Sequence, residues 1–234
     1  MTVSTQQPLQ NRMNLIPWTS GKPMLKERCV EAMDKIPEFP ELTFEEEKHI
    51  YKLNGIDIPS VSTVMKLLSQ AMYKEVDEAV LNKAARRGTA VHNAIENYSN
   101  FGIVDIDPEL QGYFDAYLKW LKEYCPTPLA NECRVYHKVM RYAGTADMPV
   151  VIGDLTILVD FKTSASVNKM LTGVQLEAYA KAYESHGLSF DGKAILHLQK
   201  TGKYSWTYYP KNDRESWECF GALMTVYNYI KKYK

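Results

Sequence analysis

The chain contains no apolar run approaching the roughly 18 residues a membrane helix requires. Met1 to Pro17 carries no continuous apolar stretch of the kind found in a secretory leader. Neither membrane insertion nor secretion is expected, and cytoplasmic residence follows as the expectation. The first 26 residues lack any acid but hold one arginine, Arg12, too little for a transit peptide. Net charge is also missing, since 28 Lys and Arg offset 28 Asp and Glu. A polyanionic partner would therefore have to be held by a local basic cleft. The four cysteines, Cys29, Cys125, Cys133 and Cys219, form no C-x-x-C pair, which argues against a zinc knuckle or iron–sulfur cluster and suits reduced thiols. Internal repeats and low-complexity tracts are absent.

What is present is 45% apolar and 24% charged residues over 234 positions, the profile of one compact domain with an extension. A chain of this length buries roughly 70–75% of its unfolded surface, so it folds without disulfides or a structural metal, and any metal would serve function. Pro8, Pro17 and Pro23 punctuate a polar start, and Leu25, Cys29, Ala32 and Ile36 stripe a helix that stops before Pro37. An extension with a short helix is expected over residues 1–42, and a single domain over 43–234.

Within that domain Asn54-Gly55 joins His49–Leu53 to Ile56–Ile58 as a hairpin, and Pro59-Ser60 opens a helix through Leu68. Helical spacing covers Lys83–Tyr98, and Asp107-Pro108 starts another helix that reaches Tyr124. Three strand-like runs follow, Glu132–Tyr142, Thr145–Ile152 and Leu155–Thr163, the last two joined by Gly153-Asp154. A helix over Val167–Tyr183, strands Ala194–Gln199 and Tyr204–Tyr209, and a terminal helix capped by Asn212 with Glu215 complete the pattern. The expected class is α+β, sandwich-like, with a mostly antiparallel central sheet flanked by helices.

Counting outward from Gly153-Asp154 places Pro149 opposite Leu158 and Asp147 opposite Asp160, with Cβ atoms about 4.5–5.5 Å apart. Alternation puts Lys162 on the face of Asp160. Facing like charges destabilise a sheet unless a divalent cation neutralises them, and oxygen ligands of this kind suit Mg²⁺ or Mn²⁺. Alternatively both acids are separately solvated at a frayed hairpin end, with Lys162 an ordinary ion-pair partner.

These residues resemble the motifs of PD-(D/E)XK nucleases of the RecB-like branch, close to phage-encoded and mitochondrial genome maintenance exonucleases. The family's helical histidine matches His92 in Gly88-Thr89-Ala90-Val91-His92, and its G-x-x-D strand matches Gly144 to Asp147. Its D-[FY]-K strand matches Asp160-Phe161-Lys162, and its Q-x-x-x-Y helix matches Gln175 and Tyr179. The similarity runs from about Tyr51 to Tyr183. Ala146 stands where the superfamily name has proline, and the cluster-binding cysteines of some relatives have no counterpart, so no iron–sulfur cluster is expected.

The resemblance implies a restriction-endonuclease-like core in which Asp147, Asp160, the Phe161 carbonyl and His92 hold Mg²⁺ or Mn²⁺. Lys162 would position or activate water, Gln175 and Tyr179 would contact the nucleic acid or support the lysine, and Glu132 would complete or orient the metal shell, a solvated strand-end carboxylate being equally open. Tyr179 as core packing and His92 as a satisfied core or surface histidine stay open, as does Glu96, one turn from His92, either orienting the imidazole or ligating a second ion. Arg86, Arg87, Arg134, His137, Lys138 and Arg141 are candidate phosphate contacts or solvated faces.

The implied activity is a metal-dependent DNA exonuclease of phage or cellular recombination and repair, acting on single strands or duplex ends, with a recombination protein as a candidate partner. Two alternatives remain: a non-catalytic nucleic-acid-binding module, or a hydrolase of a smaller phosphate ester, for which a closed pocket is expected.

Overall fold

A computed structural model describes residues 36–233. The expected extension helix over Leu25–Ile36 lies outside them except for Ile36. Where the hairpin is expected, β2 (Ile50–Leu53) pairs with β3 (Ile56–Ile58), with Leu53 opposite Ile56. Asn54 and Gly55 both take positive φ, 52° and 79°, the conformation a two-residue hairpin turn demands. A strand not anticipated from sequence, β1 (Leu42–Glu45), adds to the outer edge of β2. Tyr51, Leu53 and Ile58 bury one face of this small sheet against Tyr136 and Ala143.

Ser60 caps α1 (Val61–Met72), its Oγ accepting the Thr63 N–H at 3.0 Å. The next helix, α2 (Glu78–Phe101), outruns its expected Lys83–Tyr98 span because Asp77 caps one end and left-handed Gly102 closes the other. Asp107 caps a single 3-10 turn, Pro108–Leu110, that leads into α3 (Gln111–Tyr124).

Two of the expected strands are interrupted. Of Glu132–Tyr142 only β5 (Cys133–Tyr136) is strand; the chain then turns and pairs back as β6 (Ala143–Ala146), and the short β4 (Thr127–Pro128) precedes both. The tip is turned by His137, whose Nδ1 accepts the N–H groups of Val139 and Met140, each at 3.2 Å. Such side-chain-to-backbone bonds compete with a ladder. Thr145–Ile152 breaks at Asp147, and β7 (Met148–Ile152) then pairs with β8 (Leu155–Lys162) in the expected register, Pro149 opposite Leu158.

The main sheet runs from β10 (Tyr204–Tyr209) through β9 (Gly192–Leu198), β8 and β7 to β4. It is mostly antiparallel, but β8 and β9 are parallel, because α4 (Lys169–Glu184) crosses over between them. β10 returns antiparallel to β9. Helix α3 covers one face through Tyr117 and Trp120, whose rings lie 5.7 and 6.5 Å from that of Phe161. Helix α4 covers the other face, tied to β9 by a fully buried Glu177–Lys193 ion pair. The terminal helix α5 (Arg214–Tyr233) is capped by Asp213, not by Asn212: the Asp213 carboxylate accepts both the N–H and the hydroxyl of Ser216, at 3.1 and 2.7 Å. The architecture is mixed α+β, with helices on both faces of the sheet. No helix among the described residues is long and apolar enough to cross a membrane.

Candidate metal centre

Asp147 stands where the chain changes partners. Ala146 still pairs with Cys133 in the small hairpin, while Met148 already pairs with Val159 in the main sheet. Regular pairing with β8 therefore ends one residue short of Asp160. The Asp147 side chain takes up the backbone donor this leaves, Oδ2 accepting the Phe161 N–H at 2.6 Å. Its carbonyl accepts the N–H of Glu132 at 2.8 Å. Glu132 does not open β5 as expected; it precedes the strand in a left-handed conformation, φ 47°. That position aims its carboxylate into the same space.

Helix α2 supplies His92 from above. Its Nε2 lies 3.2 Å from the Phe161 carbonyl, and its Nδ1 lies 3.6 Å from both Glu132 Oε1 and Asp147 Oδ1. One ligand atom each from His92, Glu132 and Asp147 fall within 4.8 Å of one another. On the adjoining face Asp160 Oδ2 sits 2.5 Å from Lys162 Nζ. Asp147 and Asp160 are buried, whereas the side chains of His92 and Lys162 keep 23% and 26% exposure.

Electrostatics follow from this crowding. Burial disfavours the Asp160 carboxylate, Lys162 favours it, Asp147 opposes it, and its pKa rises to about 6. Asp147 is likewise raised by burial, against the pull of His92. Burial works against the His92 imidazolium, yet Asp147 and Glu132 outweigh it and lift the pKa to about 9. Lys162 is raised too: burial lowers it, but the neighbouring aspartates prevail, so it stays an ammonium.

Three carboxylates here face one ammonium and one imidazole. A cation bound here would displace the His92 proton, and with the imidazole neutral a divalent charge would balance the site. The donors, carboxylate oxygens with one imidazole nitrogen, suit Mg²⁺ or Mn²⁺, so the residues present fit such an ion. The charge arrangement also fixes how stability in chelator varies with pH. His92, raised from 6.5, adds stability that is complete below 6.5 and lost as pH climbs through about 9. Asp160, raised from 3.8, subtracts stability that is regained as pH falls through about 6. The melting temperature in chelator should thus drop between pH 6 and 9 by about 5 °C. His92→Gln should flatten that drop; an unchanged profile in the variant would contradict the assignment.

The Q-x-x-x-Y pair lies on α4. Gln175 Nε2 is 3.5 Å from the Tyr179 hydroxyl, a long contact. The Tyr179 ring is buried, and its seat depends on Gly144, where an added Cβ would fall 2.4 Å from Tyr179 Cε1. Core packing thus accounts for much of Tyr179. Gly144→Ala should cost about 1–3 kcal/mol in chemical denaturation through this overlap. Wild-type stability in that variant would show that the ring yields freely.

The candidate phosphate contacts disperse. Arg86 is exposed, while the Arg87 guanidinium lies over the Tyr113 ring, 5.6 Å from its centroid. His137 stacks on Trp217, and Lys138 and Arg141 sit with it at the tip of the β5–β6 hairpin, the end opposite Asp147. A groove of about 1130 Å³ opens onto the cluster, and Arg134 is the only Lys or Arg lining it among the described residues. Glu38, Glu46, Glu96 and Glu132 line it as well. The expected basic cleft is therefore not what surrounds this centre. Glu96 lines the groove without joining the ligand cluster. Sequence reasoning missed Tyr51, whose hydroxyl reaches Thr145 Oγ1 at 2.7 Å from 94 residues away; no local spacing signals such a contact.

No family model and no curated protein matches the chain. Among solved structures, an alkaline exonuclease (LHK-Exo) from Laribacter hongkongensis is similar at 12% identity and a TM-score of 0.36, over 61% of this chain and 82% of that one. The same enzyme in complex with dAMP gives 13% and 0.31, over 75% and 92%. A protein described as SSO0001 gives 10% and 0.34, over 74% and 85%. At these values the reading of the centre rests on its own residues.

Proposed function

We propose that the chain is a divalent-metal-dependent nuclease of the PD-(D/E)XK type, RecB-like branch, that hydrolyses DNA phosphodiesters as an exonuclease. The observation that supports it best is the convergence of His92, Glu132, Asp147, Asp160 and Lys162 at the break between two sheets. Asp147, Asp160, His92, the Phe161 carbonyl and Glu132 would hold Mg²⁺ or Mn²⁺. When bound, such an ion neutralises phosphate charge and lowers the pKa of water.

The remaining chemistry belongs to the chain. Lys162, held as an ammonium by Asp160, donates hydrogen bonds to the scissile phosphate or the attacking water and stabilises the charge that builds there. Asp147 holds Phe161 by its N–H, which orients the neighbouring carbonyl toward His92. Gln175 and Tyr179 close the α4 side, where Gln175 is available to the DNA backbone. Arg86 is the exposed candidate for a phosphate further along the strand. Recombination or repair, in a phage or a cell, is the proposed setting, with a recombination protein as candidate partner.

An open groove of about 1130 Å³ favours a polymer over a small phosphate ester, which a closed pocket would suit. A non-catalytic module has no use for two buried aspartates beside a lysine, an arrangement that costs stability. The test is end-labelled linear DNA and circular DNA incubated with Mn²⁺, Mg²⁺ or EDTA. Loss of label from linear DNA with either metal, sparing of circles and silence in EDTA are expected. Absence of metal-dependent cleavage would overturn the proposal.

A further inference from the structure

The sheet face that carries Asp160 and Lys162 continues onto β9. Parallel pairing sets Asp160 beside Ile195 and Lys162 beside His197. Side chains alternate along a strand, so Lys193, Ile195 and His197 share the face that α4 covers, as the Glu177–Lys193 pair confirms. His197 is only 9% exposed, in a strand buried along its whole length. A buried imidazole needs partners. Its Nε2 lies 2.6 Å from the Ser164 carbonyl, and its Nδ1 lies 3.5 Å from Ser205 Oγ. A carbonyl can only accept, so Nε2 is the donor of the Ser164 bond.

Ser164 is two residues beyond Lys162, in the segment 163–168 that turns β8 into α4. The same segment is braced internally by Ser164 Oγ donating to the Ser166 carbonyl at 2.7 Å. Lys162, Ser164 and Ser166 together line a second cavity of about 230 Å³ with Gln175. One imidazole on the neighbouring strand therefore ties down the point where the chain leaves the sheet just after its lysine. We infer that His197 is a positioning residue for Lys162: by holding the Ser164 carbonyl it fixes the exit from β8, and with it the place of the ammonium beside Asp160. This inference rests on the nuclease reading of the same centre.

A ring with two side-chain torsions, in a strand buried along its whole length, holds a carbonyl more rigidly than a flexible donor does. Displacing a reacting group by about 1 Å is enough to cost about 10²-fold in rate. His197→Leu keeps bulk but removes the donor, and should lower kcat by about 10- to 10²-fold with KM and Mn²⁺ affinity within about threefold of wild type. His197→Gln, which can still donate to Ser164, should recover most of the loss. A merely structural role would instead lower the melting temperature and leave kcat per folded molecule unchanged.

A second measurement needs no cleavage: the acetylation rate of Lys162, followed by peptide mass spectrometry. The rate should rise in His197→Leu and return toward wild type in His197→Gln. If His197→Leu does not fold, His197→Asn, too short to reach Ser164 without a shift, should show the same rise. Wild-type kcat and wild-type Lys162 labelling in a folded donorless variant would overturn the inference. Should the wild type fail to cleave DNA at all, the nuclease reading falls, and the labelling arm alone decides whether His197 places the lysine.

Discussion

Lys162→Ala should cleave DNA at about one hundredth of the wild-type rate or less, while metal and DNA affinity stay within about tenfold. Its Nζ lies 2.5 Å from Asp160 Oδ2 on a side chain still 26% exposed, so the ammonium is both anchored and accessible. A protonated lysine offers no metal ligand, and its loss therefore falls on the chemistry more than on binding. The aspartates that raise its pKa keep it a donor throughout the neutral range. Lys162→Arg should restore little, because the guanidinium is planar and bulkier and cannot take this lysine's place beside Asp160. Gel shift and single-turnover cleavage on one DNA at fixed salt decide the matter. Wild-type cleavage by Lys162→Ala would reduce the lysine to an ion-pair partner.

Glu177→Leu should destabilise the fold by about 3–5 kcal/mol, the cost of stranding a buried charge. Glu177 and Lys193 are each only 1% exposed, and the other hydrogen bond of the ammonium goes to the Lys211 carbonyl at 3.1 Å. Without Glu177 that carbonyl alone must compensate a cation beneath α4. The paired substitution Glu177→Leu with Lys193→Met should recover most of the loss, since replacing both charges with apolar side chains removes the desolvation penalty as well as the attraction. Guanidinium denaturation of the single and double variants measures this. A single variant as stable as wild type would mean that water reaches the pair.

Local turn chemistry made much of the fold legible in the sequence. Asn54-Gly55 and Gly153-Asp154 each set a hairpin register from a few adjacent residues, and Asp107-Pro108 marked a helix start. The early end of β5 before His137 and the break at Asp147 were not legible, because strand propensity is local whereas where a strand stops or changes partners is decided by distant segments. The same is true of the parallel β8–β9 pairing, which exists only because α4 crosses between them. At the candidate site, hairpin counting brought Asp147 and Asp160 near each other, but it gave no hint that Asp147 would turn its carboxylate onto the Phe161 N–H. His92 came from a resemblance, and its placement against the Phe161 carbonyl arises from how α2 packs. Charge was read least well: Arg87 packs on Tyr113, and the hairpin-tip bases lie at the end opposite Asp147, so a string of basic letters did not make a basic groove.

Calorimetric titration with Mn²⁺ tests the central claim most directly, comparing wild type with Asp147→Asn and using Lys162→Ala as the control. The wild type should bind, Asp147→Asn should lose affinity by more than about tenfold, and Lys162→Ala should bind nearly as the wild type does. Equal binding by wild type and Asp147→Asn would contradict the assignment of this cluster as a metal centre.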